Sequence, residues 1–184
     1  MRLTKHVFLL AALGLLVIGG VAAAQVPAAQ TTDVSAVFNV TQTRMRTHTC
    51  TQGTDTFRVT NAVWRGTSTS TEPRLAGNLV LATHSVLNET TGDGWLSGDW
   101  RTRPAAPARP GTAPRSHALL SAVIDNGNHV DGLVIGGVRS PGARLLGNLS
   151  ATINGTAMAG DLGANAPVAP DNSALIFSGG CPGG

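Results

Sequence analysis

The segment HALLSAVIDNGNHVDGLVIGGVR, residues 117–139, decides the fold. His117 to Asp125 is an apolar run of strand length, and His129 to Arg139 is a second one. Between them stands Asn126-Gly127, the favoured two-residue hairpin signal, because a type I′ turn needs positive φ at both central positions. The unit is therefore strand, tight turn, strand. The same rhythm continues in both directions.

Towards the C-terminus, Pro141-Gly142 turns the chain into a strand at Arg144–Asn154, and Asn154-Gly155 turns it into Thr156–Leu162. A Gly/Ala/Pro/Asn loop then leads to a last strand, Asn172–Ser178, shortly before Cys181. Towards the N-terminus, Arg103–Arg115 is rich in Pro, Ala, Arg and Gly and reads as an exposed loop. Before it, Leu75–Leu87 and Trp95–Thr102 form a hairpin about Asn88–Gly94, a connection dense in turn formers. Leu75, Leu79, Leu81 and Leu87 share one side of the first of these strands.

Gly66–Pro73 reads as a Ser/Thr loop, preceded by a strand at Thr56–Arg65. That strand sets Phe57, Val59 and Val63 on one face and Arg58, Thr60 and Trp64 on the other. Gln52-Gly53-Thr54-Asp55 supplies a turn, and the first strand begins near Asp33 with Val34, Ala36, Phe38 and Val40 on one face before a polar continuation to Cys50.

No helical period interrupts this series beyond the N-terminal segment. Eight or nine consecutive strands predict an all-β chain: a single antiparallel barrel, or two packed sheets. Closure removes exposed edges, and in-strand glycines (Gly77, Gly98, Gly132, Gly136, Gly147, Gly160) supply the bends of a small barrel, so the barrel is expected.

The N-terminus predicts export. Arg2 and Lys5 precede an uncharged run, Val7 to Ala24, that closes on Ala22-Ala23-Ala24 before Gln25. A retained anchor is the alternative. Gly14, Gly19 and Gly20 weaken such a helix, and no basic cluster follows it. The expected organisation is a signal peptide at 1–24, a short leader at 25–32 and a barrel domain at 33–184, secreted or periplasmic, with no stable membrane insertion after cleavage.

Without Arg2 and Lys5, eleven arginines face ten carboxylates, a net charge of +1. Arg44/Arg46 and Arg101/Arg103 read as solvated strand faces, and no run of arginines tracks a phosphate backbone, so a nucleic-acid partner is not expected. The two cysteines, Cys50 and Cys181, predict one disulfide in an oxidising compartment, closing a loop long enough for about 4–5 kcal/mol of chain-entropy stabilisation.

Motifs for catalysis are wanting. No Gly-x-Ser-x-Gly elbow occurs, and His48, His84, His117 and His129 lack a serine context. His117, His129 and Asp131 form only a loose cluster, and the Asp125–Gly132 segment has glycine at the third ligand position of a calcium loop, so no metal or other cofactor is expected. Asp93 and Asp99 flank a strand bearing Trp95 and Trp100, a combination found in sugar-processing sites. The candidates for lining a ligand site are Trp64, Trp95 and Trp100, joined by Asn61 and His84; packing in the core or at the barrel mouth is the competing reading of the tryptophans. Asn39, Asn88, Asn148 and Asn154 begin glycosylation sequons, a frequent coincidence in a Thr/Asn-rich chain.

The Gly66-Thr-Ser-Thr-Ser-Thr-Glu-Pro-Arg-Leu-Ala-Gly77 and Gly92-Asp-Gly-Trp-Leu-Ser-Gly98 segments, taken with the strand order, resemble bacterial secreted β-barrels of the calycin type, likened to allene oxide cyclase and dirigent barrels. The resemblance implies a barrel over nearly the whole exported chain. In that group it implies cyclisation or stereochemical guidance of reactive intermediates, and it carries no catalytic residue onto this sequence.

The expected role is binding of a small apolar ligand, or a structural role in the envelope, without hydrolysis. A cyclase-like or dirigent-like enzyme is the alternative and predicts inward-facing polar residues converging in one pocket, with Asn61, His84 and Asn148 as candidates. An adhesive or surface-layer component is a third and requires an exposed apolar patch.

Overall fold

The computed structural model describes residues 32–103, 105, 116–126, 128–138, 143–163 and 181. Its strands are β1 (Ser35–Gln52), β2 (Asp55–Ser70), β3 (Gly77–Asn88), β4 (Gly94–Arg103), β5 (Ser116–Asp125), β6 (His129–Val138), β7 (Arg144–Asn154) and β8 (Ala157–Gly163). Each pairs antiparallel with the next and β8 returns to β1, so the sheet closes as a single eight-stranded barrel. The two-sheet alternative is excluded. The expected signal peptide, most of the leader and of the 103–115 loop, and the expected last strand at 172–178 lie outside the described residues.

Side-chain alternation assigns the two faces of the wall. Ala36, Phe38 and Val40 of β1 are buried, as are Ala62 and Trp64 of β2, Leu79 and Leu81 of β3, and Leu96 and Trp100 of β4. The far side adds Ala118, Leu120, Val130, Val134, Leu145, Leu149, Met158 and Leu162 to the same cluster. Thus β2 turns the Arg58/Thr60/Trp64 face inward and carries Phe57, Val59 and Val63 outside. Small residues let the wall curve tightly: a Cβ on Gly132 would stand 2.2 Å from the Ser121 carbonyl oxygen and 2.5 Å from Ala122 Cα, so only glycine fits between β5 and β6 there.

The turns depart from expectation in detail. Asp125 pairs with His129, so the loop takes a third residue, Asn128, and Asn126 adopts the positive φ (50°). Asn154 pairs with Ala157, leaving Gly155-Thr156 as the two-residue turn with Gly155 at φ 59°. The expected Gly66–Pro73 loop is instead strand as far as Ser70. Val40 pairs with Gly66, Ala36 with Ser70 and Ser68 with Gly77, a good place for β-prone Thr and Ser on a pleated surface.

Leu75, expected to start β3, precedes that strand and is fully buried in the main cluster, closing the upper end of the barrel. The connection holding it is tied down: Thr102 Oγ1 donates to the Arg74 carbonyl at 2.7 Å and lies 2.7 Å from Ser116 Oγ. Arg74 also bonds Glu72 through its backbone N–H (3.0 Å), Nε (2.7 Å) and Nη2 (2.8 Å). Those side-chain hydrogen bonds, more than the backbone bond or the charge itself, lower the Glu72 carboxyl from 4.5 to about 2. A depressed carboxylate stabilises the fold above its unfolded value and stops doing so as pH falls towards the folded one. Glu72→Gln should therefore lower the urea midpoint at pH 6, with the difference from wild type shrinking as pH falls from about 4.5 towards 2.

A second, smaller cluster lies on the outer wall. Phe57, Val59, Val86 and Cys181 are buried together, with Cys50 and Trp95 packed against them. Cys50 and Cys181 are disulfide-bonded with their Cα atoms 5.6 Å apart, as the cysteine count predicts. The bond pins the chain near its C-terminus to the outside of the lower barrel and does not form the β1–β8 seam. β8 meets β1 only over Ser35–Thr41, near the opposite end.

Candidate ligand-binding site

The barrel interior is filled above and hollow below. Trp64, Leu81 and Trp100 stand side by side on β2, β3 and β4 and share one level of the wall. Trp100 is fully buried, edge-on to Phe38 with ring centroids 5.4 Å apart. Below that level the inward positions become smaller or polar: Thr60 and Ala62 on β2, Thr83 and Ser85 on β3. They leave a cavity of about 370 Å³ at the lower mouth, a volume suited to a small organic ligand.

Its walls are apolar, from Trp64, Leu87, Leu96, Ile124 and Ile153. Its polar groups are Gln42, Thr60, Thr83 and Ser85, with Arg58 at the rim facing Glu89 at 3.3 Å. Trp64 forms the boundary with the packed half. Its Nε1–H donates to Thr83 Oγ1 at 3.0 Å, so the indole is fixed with its polar edge satisfied.

The mouth is open on one flank because of β1. Beyond Thr41–Ala157 the β8 partner ends, and Thr43 forms a bulge between Gln42 and Arg44. A bulge bends its strand. Arg44 to Gln52 then runs on with β2 as its only strand partner among the described residues, and Met45 and Thr47 of that stretch line the cavity.

Of the five residues expected at a ligand site, Trp64 alone reaches the cavity. Trp100 belongs to the packed core, and Trp95 lies on the outer wall, 5.2 Å from the His84 ring. Asn61 and His84 also face outward, where Asn61 Oδ1 and His84 Nδ1 are 2.9 Å apart. Asn148 alternates with inward Gly147 and Leu149 and so faces outward as well. The physical reason is parity: Asn61 opposes His84 across the ladder, and both are out of step with Trp64 and Leu81, whose side chains fill the interior. The polar residues that do line the cavity, Thr60, Thr83 and Ser85, are not among those expected; their signal in the sequence is spacing in twos from Trp64 and from Leu81.

Elsewhere on the outer wall, Asp99 accepts from Arg101 Nη2 at 3.3 Å and lies 2.9 Å from His117 Nε2. Asp99 and Trp100 thus point to opposite faces of β4, so Trp100 provides no platform beside Asp99; Trp95 shares the outward face with Asp99. Among the described residues, no group of three or more His, Cys, Asp or Glu side chains is placed to hold a metal ion. Comparison with family models, curated proteins and solved structures returns no match.

Proposed function

We propose that this chain is an exported binding protein of calycin-type architecture that takes a small, mainly apolar molecule into the lower mouth of its barrel. The observation that carries this reading is the asymmetry of the interior. Leu75 seals the upper end, the Trp64–Trp100 level is packed, and a cavity of about 370 Å³ with apolar walls opens below. The disulfide supports export, since such bonds persist in oxidising compartments.

Filling the mouth tests the proposal. Ser85 is half-buried and lines the cavity, so Ser85→Trp should occupy the space while leaving the core intact. An apolar fluorescent probe or fatty acid should bind the wild-type protein and bind the variant at least about tenfold more weakly, with little change in melting temperature. Equal binding by both proteins would remove the site. The alternative, an enzyme steering a reactive intermediate, draws nothing from Asn61, His84 and Asn148, which face outward, and rests on Gln42, Thr60, Thr83 and Ser85 as the polar groups in the cavity.

One observation favours a surface-assembly role as a second reading. Leu119, Ile135 and Leu146 stand directly opposite one another on β5, β6 and β7 and are 66%, 54% and 72% exposed. With Leu133 they form an uncovered apolar strip. Sedimentation across a concentration series should show self-association that Ile135→Asp abolishes. A monomer at every concentration would dismiss this reading.

A further inference from the structure

We propose that the outer face of β1–β4 binds an acidic polysaccharide. The arginine pairs that look like solvated strand faces in the sequence are brought onto one face by the pairing of β1 through β4. Arg44 and Arg46 of β1, Arg65 of β2, and Arg101 and Arg103 of β4 all project from this face and all are exposed. Among the described residues, Arg44, Arg46, Arg65 and Arg103 have no acidic partner. The only carboxylate between them, Asp99, is held by Arg101 and His117. A chain with a net charge of +1 after its expected cleavage therefore concentrates five arginines on one side. That is a directed field, not a diffuse one.

The face is also shaped to hold a chain. One depression, about 710 Å³, runs from Arg44 and Arg46 across Val63 and Ala82 to Ser97 and Asp99. A second, about 520 Å³, lies between Arg65, Arg101 and Arg103. The two are neighbours on β2, β3 and β4. Val63 is followed by Arg65, Val80 by Ala82 and Asp99 by Arg101 on the same outward faces, so the two depressions lie end to end with arginines at the far side of each, and one extended polymer can cross both. Small residues at their floor keep them concave, and the bulge at Thr43 bends β1 at their edge.

The lining selects the chemistry. Guanidinium groups bind carboxylates and sulfates with paired hydrogen bonds. Asn61, His84 and Ser97, between the arginines, offer donors and acceptors suited to sugar hydroxyls. Single-stranded nucleic acid would want an exposed aromatic platform, and Trp95 is instead packed between His84 and the Phe57 cluster. A membrane would want several apolar side chains protruding among the arginines, whereas Val63, Val80 and Ala82 are half-buried and the one exposed apolar neighbour, Met45, also lines the barrel mouth. This inference is independent of the cavity at the barrel mouth.

The full, oxidised protein is titrated with heparin, polygalacturonate, neutral dextran, oligodeoxythymidine and phosphatidylglycerol vesicles. At least one of the two acidic polysaccharides should bind, more weakly as salt is raised, and dextran should not. Arg44→Ser/Arg46→Ser and Arg101→Ser/Arg103→Ser should each lower that affinity at least about tenfold, while Arg144→Ser on β7 changes it less than about twofold. The Arg44→Lys/Arg46→Lys protein keeps the charge but not the paired hydrogen bonds, so its affinity should fall between those of wild type and the serine variant, which separates loss of charge from loss of fold. The proposal is overturned by failure of both acidic polymers to bind, by equal losses in the Arg144 variant, or by tighter binding of oligodeoxythymidine or vesicles.

Discussion

Reduction of the Cys50–Cys181 bond should lower the melting temperature by roughly 10–20 °C while leaving the barrel folded at room temperature. The bond joins residues 131 apart. In the chain-entropy model a closure of that length withholds about 4–5 kcal/mol from the denatured ensemble. That is a large part of the 5–15 kcal/mol typical of a domain. The folded state loses less, because the β1–β8 ladder that closes the wall is made by Ser35–Thr41 and owes nothing to the cysteines. What reduction releases is local. Cys181 is 8% exposed and covers Phe57, Val59 and Val86 on the outer wall. Far-UV circular dichroism should therefore persist after reduction, with a fall in the denaturation midpoint and new binding of an apolar dye to the outer wall. The Cys50→Ala/Cys181→Ala variant should reproduce both changes. A midpoint that does not move after verified reduction would show that the loop closure contributes nothing.

The sequence made the barrel legible and the ligand site mostly illegible, for different physical reasons. Strand and turn are local properties. Asn126-Gly127 between two apolar runs announces a hairpin wherever it falls, and the whole series of hairpins follows from such signals. Which face of a strand points inward is not local. In the lower half of β2 the more apolar face, Phe57 and Val59, lies outside beneath Cys181, and the polar face of Arg58 and Thr60 looks into the mouth. Putting apolar residues inside by rule reverses that strand. The inward face is fixed one turn of alternation further on, by the burial of Trp64 beside Leu81 and Trp100. Parity counted from Trp64 and Leu81 excludes Asn61 and His84 from the interior and admits Thr60, Thr83 and Ser85.

The same non-locality hides the arginine face. Arg44/Arg46 and Arg101/Arg103 are far apart in the chain, and each pair alone is what a solvated strand shows. Their meeting depends on β2 and β3 lying between β1 and β4 in the closed sheet, which no composition reports. Leu75 is a third case. Its spacing with Leu79 and Leu81 fits a strand, but the backbone leaves the ladder before Gly77, and the side chain becomes a plug in place of a wall residue. The cavity is bounded above by the packed Trp64–Trp100 level, and Leu75 is buried in the same cluster beyond it.

Trp100→Ala should be the most damaging single substitution in the packed half, costing about 3–5 kcal/mol. Trp100 is 0% exposed at the centre of the cluster, and removing it forfeits the edge-on contact with Phe38 as well as the transfer of the indole from water. The neighbours cannot close the gap easily, since Leu81 and Ala118, which flank it, are fixed by ladders on both sides. Trp100→Phe separates packing from polarity. Among the described residues Trp100 Nε1 has no hydrogen-bond partner, so an apolar ring that fills most of the volume gives up no bond and should cost less than about 1.5 kcal/mol. Trp64→Phe makes the opposite case: it deprives Thr83 Oγ1 of its donor, yet faces a cavity that can admit water, so its main effect should fall on ligand affinity. Urea midpoints for the Trp100 and Trp64 variants, with probe binding for the latter, distinguish the filled half of the barrel from the hollow half. If Trp64→Phe were as destabilising as Trp100→Ala while probe binding stayed unchanged, Trp64 would belong to the core, and the cavity would lose the wall that defines it.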